Sequence, residues 1–134
     1  DVKELNFKFD PQNEFRVKPT MLGAHDDFSK VLDQNPVLPS CFFAENDTIA
    51  LGAMKALKEK GYKIPNDVSL IGFDDIPYSS ISSPTLTTIH VQRKIMGKQS
   101  VIQLMQLIED PRFMHMKTPL TGKLVERSSV KHLA

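Results

Sequence analysis

Two polar pairs stand where chemistry is possible. Asn46 and Asp47 follow the apolar run CFFA at 41–44, and Asp74 and Asp75 follow VSLIGF at 68–73. A carboxylate offers two acceptor oxygens, which can take hydrogen bonds from neighbouring hydroxyls of a sugar or from ring N–H groups of a base. An aromatic face such as Phe43 or Phe73 can stack on the apolar side of such a ligand. Asp74, at the strand end itself, is read as a ligand contact. Asn46 suits capping and ligand contact equally. Asp47, directly before a helical pattern, is well placed to cap it, and Asp75, before Ile76 and Pro77, reads as a turn or cap residue. Only one of Phe42 and Phe43 can face each way along a regular strand, so one belongs to the core.

Other chemistries find less material. Asp74, Asp75 and His90 are the nearest approach to a metal or hydrolytic site, yet no second histidine lies at ligand spacing. There is no phosphate-cradling glycine loop, no GxSxG elbow and no CxxC pair. No metal ion or cofactor is expected. The single cysteine, Cys41, sits inside CFFA and reads as a small buried hydrophobe; alone it forms no internal disulfide, which fits a reducing compartment.

The positioning elements follow from pattern. A chain of 134 residues with 40% apolar and 25% charged residues is ordinary for one globular domain. Its formal charge of +1 gives no net field to hold nucleic acid or an anionic membrane. No run reaches the length of a membrane span, the start lacks a signal-peptide pattern, and the absent initiator Met suggests a processed chain or a fragment. Residues Glu4 to Phe9 alternate as a half-exposed strand. Thr20 caps a helix carrying Met21, His25, Phe28 and Leu32 at helical spacing, with His25 a packed residue. CFFA, a helix from Thr48 to Lys60 stopped by Gly61, and VSLIGF make a right-handed βαβ unit in a parallel sheet. This unit sets both polar pairs on one rim, where ligands settle in open α/β sheets. A loop carrying four serines follows, then the strand LTTIHV, a long helix from Arg93 to Glu109 with apolar residues on more than one stripe, and a short strand around Lys123 to Arg127.

The run FFAENDTIALGAMKALKEKGYKIPNDVSLIGFDD, followed by SSPTLTTIHVQRKIMGKQS and a late LVERSS, resembles the C-terminal portion of the lactose and galactose repressor (LacI/GalR) family of bacterial transcription regulators. The likeness runs from about Pro39 to Arg127 in one register; residues 1–38 carry no matching motif. It implies a type I periplasmic-binding-protein fold, an α/β parallel-sheet sandwich of two lobes that close on a sugar or a purine. By the resemblance Asn46 and Asp74 are ligand contacts, Phe43 holds the place of a stacking aromatic, and Asp47 is structural. The segment His90 to Arg93 resembles a crossover between lobes, so Gln92 and Arg93 face the cleft or act in the hinge. Leu51, Met54 and Lys55 on the outer face of the first βαβ helix, with Ser79, Ser80 and Ile81 in the loop 79–83, resemble a dimer surface.

The same resemblance makes 1–134 a partial effector-binding domain. The C-terminal lobe covers about 1–90 and 120–134, and a crossover helix at about 92–110 belongs to the missing N-terminal lobe. No helix-turn-helix headpiece precedes it, so contact with DNA would come only through a headpiece outside this chain. The long helix, left with bare apolar stripes, is expected to make the isolated chain dimerise or swap it. The expected function is a non-enzymatic, cytoplasmic sensing and homodimerisation module for a sugar or nucleobase, with no membrane contact. The alternative is a sugar-binding protein of a transport system, and a more distant one an α/β enzyme using Asp74, Asp75 and His90.

Overall fold

The computed structural model describes residues 11–112, 114 and 116–132. The strand expected over Glu4 to Phe9 lies outside the described residues. A 3-10 turn at Pro11–Asn13 leads to α1 (Met21–Leu32), β1 (Cys41–Phe43), α2 (Asp47–Glu59), β2 (Ser69–Ile71), α3 (Pro77–Ile81), β3 (Thr88–His90), α4 (Arg93–Glu109) and β4 (Lys123–Val125).

β1 and β2 pair in parallel, with Cys41, Phe42 and Phe43 opposite Ser69, Leu70 and Ile71. β3 and β4 pair antiparallel, with His90 opposite Lys123. Parallel bridges at Ile71–Thr87 and Asp74–His90 join the two ribbons, so the strands follow one another as β1-β2-β3-β4. Ser129 closes the seam between β2 and β3. Its hydroxyl donates to Leu70 O at 2.6 Å and accepts from Thr87 N at 2.8 Å, and its own carbonyl accepts from Leu70 N at 2.9 Å.

α1 and α2 begin where side-chain caps stand. Thr20 Oγ1 accepts from Gly23 N at 3.1 Å and starts α1. Asn46 Oδ1 accepts from Ile49 N at 2.8 Å and starts α2, which therefore begins one residue earlier than the sequence suggests. Gly61, at φ 88°, closes α2 in the left-handed conformation that a side chain resists.

α2 is buried more widely than on one stripe, because it contacts both α1 and β2. Ala50, Leu51, Met54, Ala56 and Leu57 join Phe28, Leu32, Val68, Leu70 and Leu86 in one buried cluster. Phe15, Phe28 and Phe42 meet edge to face beside it, with centroids 5.6 to 5.8 Å apart. Gly52 lets α1 approach closely: a Cβ there would stand 2.9 Å from Ala24 Cβ and 3.0 Å from His25 N.

Two expectations change, while the bare apolar stripes expected of α4 are found. The serine-rich segment after Asp75 is not a loop throughout, since α3 forms with Pro77 at its first turn, where a missing N–H costs nothing. Cys41 is exposed, not buried, because the strand pleat turns it to the same side as Phe43 and only Phe42 inward. α4 has no buried residue, and Val101, Leu104, Met105 and Ile108 are each at least half exposed. No helix among the described residues is long and apolar enough to cross a membrane.

Candidate functional site

The rim is built where β1 and β2 end. Asp47 N donates to Phe73 O at 2.8 Å and Asp74 N to Ile89 O at 2.9 Å, so the start of α2, the turn after β2 and the end of β3 lie side by side. Asp74 and Asp75 both take positive φ, 113° and 54°. Such backbone is tolerated at a cost of about 1–3 kcal/mol per residue and gathers at sites where geometry matters. Aspartate accepts the left-handed region better than most residues.

The two aspartates then diverge. Asp74 is half-buried, and its one ion pair among the described residues is with Arg93, whose Nη1 lies 4.0 Å from Oδ1. Its carboxylate therefore keeps acceptor capacity for a guest molecule. Asp75 is occupied: Oδ1 accepts from Arg127 Nη2 at 2.7 Å and Oδ2 lies 2.9 Å from His90 Nδ1. Burial disfavours the charged form of Asp75, but the Arg127 and His90 hydrogen bonds outweigh it, and its pKa falls below the ordinary value. Arg127 is further fixed by Nη1 to Leu86 O at 2.8 Å and by its N–H to Thr87 Oγ1 at 2.9 Å. Asp75 is thus a brace, and the sequence reading of a turn or cap residue missed its partner.

Asp47 does not cap α2; Asn46 does. Asp47 is fully buried, and its carboxylate accepts from Thr88 Oγ1 at 2.5 Å, Ser79 Oγ at 2.6 Å and Ile76 N at 3.0 Å. It fastens α2, α3 and β3 together directly behind the rim. Gly72 makes room for it, since a Cβ there would collide with Asp47 Oδ1.

Phe43 and Phe73 are both exposed. Phe43 stands on a cleft of about 720 Å3 whose wall includes Phe15, Phe42, Glu45 and Ile49; Asn46, Phe73 and Asp74 do not line it. Gln92 Nε2 donates to Thr121 O at 3.2 Å, tying the segment that enters α4 to the one that returns to β4. Arg93 opens α4 and is exposed.

The residues assigned to a dimer surface divide. Lys55, Ser80 and Ile81 are exposed. Ser79 is fully buried, drawn inward by Asp47, and Leu51 and Met54 belong to the buried cluster, so these three do not stand on an outer face. Leu51 and Met54 do reach the floor of a groove of about 360 Å3 bounded by Lys55, Lys58, Glu59, Ser82 and Ser83. Among the described residues no three His, Cys, Asp or Glu side chains converge as metal ligands. His90 and Asp75 meet, but Asp75 is committed to Arg127.

Residues 2–130 match the periplasmic binding protein-like domain. The HTH-type transcriptional repressor PurR of Histophilus somni is 42% identical over 105 residues, covering 78% of this chain and 31% of the repressor. A LacI-type transcription regulator from Bifidobacterium animalis superimposes with a TM-score of 0.85 at 27% identity, covering 98% of this chain and 47% of that one. A LacI family regulator from Enterococcus faecium with bound ribose gives a TM-score of 0.75 at 28% identity, over 90% and 44%. The chain thus spans about a third of the length of the curated relatives it matches and about half of the solved chains.

Proposed function

Because this chain belongs to the periplasmic binding protein-like domain family of LacI/GalR-type regulators, we propose that it is the C-terminal part of an effector-sensing domain in a DNA-binding transcription regulator. The reading is non-enzymatic and cytoplasmic, with a sugar or a nucleobase as effector and a second copy of the regulator as partner. One observation carries it: Asp74 is held at positive φ at a sheet rim, with its carboxylate half-exposed and a guanidinium 4.0 Å away.

In this reading Asp74 accepts hydrogen bonds from ligand hydroxyls or ring N–H groups, and Asn46 adds an amide while capping α2. Phe43 and Phe73 offer aromatic faces. Arg93, at the start of α4, answers the charge of Asp74, and Gln92 helps hold the two crossing segments in register. A ligand that binds one lobe arrangement better shifts the lobes and, through them, the DNA-reading parts. The exposed Lys55, Ser80 and Ile81, beside the groove below α2, are the part of the expected dimer surface that remains available.

The test is calorimetry of the full-length regulator against D-ribose, other sugars and nucleobases, repeated with Asp74→Ala. Binding that weakens at least about tenfold in the variant supports the reading, in line with loss of a charge-assisted hydrogen bond. Unchanged affinity removes Asp74 from the site.

A further inference from the structure

His25 of α1 is held between two carboxylates. Its Nε2 lies 2.6 Å from Glu59 Oε2 on α2, and its Nδ1 lies 2.8 Å from Asp26 Oδ1. A neutral imidazole has one N–H and one lone pair, so it can satisfy one of these carboxylates while turning its lone pair on the other. Only the imidazolium donates to both. The His25 side chain is 17% exposed, at the contact where Gly52 brings α2 against the α1 backbone. The charged groups facing it are Asp26 from α1 and Glu59 and Lys55 from α2, with Lys55 Nζ 3.7 Å from the other Glu59 oxygen.

We propose that His25 is a protonated clamp fastening α1 to the last turn of α2, and that its deprotonation releases Glu59 toward Lys55 and the groove. This device is separate from the effector rim, which lies at the opposite end of α2, and it stands whether or not an effector binds there. Its release would change both the charge of the groove and the hold of α1 on the helix that carries Asn46.

The direction of the pH effect follows from the partners. The Glu59 hydrogen bond, then that of Asp26, raise the His25 pKa above its ordinary 6.5, against partial burial and Lys55. The same bond lowers Glu59. A histidine raised in the folded state contributes its full stabilisation below the unfolded value of 6.5 and loses it as pH rises through the higher folded value. The clamp is therefore closed in mild acid and opens on the alkaline side of 6.5.

NMR titration of the His25 ring in the full chain tests this, alongside Glu59→Gln, Asp26→Asn and Lys55→Met. The expected wild-type midpoint lies above 6.5, moves back toward 6.5 in Glu59→Gln and, by less, in Asp26→Asn, and moves up in Lys55→Met. Amide exchange, corrected for its intrinsic pH dependence, should show α1 losing protection relative to β1 and β2 across the same midpoint, with no such step in His25→Gln. A wild-type midpoint at or below 6.5, or one unmoved by Glu59→Gln, overturns the protonated bridge. Unchanged α1 protection overturns the clamp.

Discussion

Thr88 Oγ1 donates to Asp47 Oδ1 at 2.5 Å, joining β3 to α2 across 41 positions of chain. With Ser79 Oγ and Ile76 N on the other oxygen, it makes Asp47 the shared anchor of the elements behind the rim. Replacing Asp47 by Ala would leave two hydroxyls and an amide without their acceptor in a buried place. The expected loss is about 3 kcal/mol or more, because unsatisfied buried polar groups cost about 1–3 kcal/mol each. Urea unfolding of Asp47→Ala checks this. The Asp47→Ala/Ser79→Ala double variant should lose less than the sum of the two single losses, as expected for groups in direct contact. Full additivity would mean that the hydroxyl and the carboxylate do not depend on each other.

Gly72 guards the same anchor from the strand side. A Cβ there would collide with Asp47 Oδ1 and stand 3.1 Å from Leu86 Cδ2. Gly72→Ala should therefore destabilise by about 1–3 kcal/mol, the usual range for overpacking. Thermal unfolding reads this directly, and a neutral substitution would show that the carboxylate has space to retreat.

Acid should undo the brace between Asp75 and Arg127. The folded pKa of Asp75 lies below its ordinary 3.8, so its stabilisation is present above that value and is lost as pH falls through the lower folded one. Denaturant unfolding measured from about pH 6 down to about pH 3 should show a steeper loss in the wild type than in Asp75→Asn. Equal slopes would mean that Arg127 and His90 hold Asp75 no better than water does.

The parts of this architecture that rest on local pattern were legible in the residues. VSLIGF announces a buried strand because both its faces are apolar, and CFFA announces a strand although Cys41 and Phe43 stay exposed on it. Gly61 closes α2 because only a left-handed residue fits there, and Thr20 caps α1 through its own hydroxyl. Asp47 was harder to read. A carboxylate beside a helix start looks like a cap, and nothing near it in sequence reveals Ser79 and Thr88, 32 and 41 positions away. Arg127 hid for the same reason, since its partner Asp75 is 52 positions upstream. Its one local clue is a long cation following the apolar residues of β4. The buried place of Ser79 likewise depends on Asp47, 32 positions upstream, and those of Leu51 and Met54 on the cluster that α2 joins, which composition does not encode.

α4 offers the opposite kind of test, because none of its residues is buried. Val101, Leu104, Met105 and Ile108 are 60%, 57%, 50% and 64% exposed. Polar replacements such as Val101→Glu with Met105→Glu should leave the unfolding of the α1, α2 and sheet core within about 0.5 kcal/mol of the wild type. Association is where they should act. At about 25 cal/mol per Å2 of apolar surface removed from water, covering this face with that of a second copy gains several kcal/mol. Sedimentation of the isolated 134-residue chain should therefore show concentration-dependent dimers that the double variant abolishes. A wild-type chain that stays monomeric would contradict pairing through α4, and a variant that loses core stability would show that α4 packs against its own chain after all.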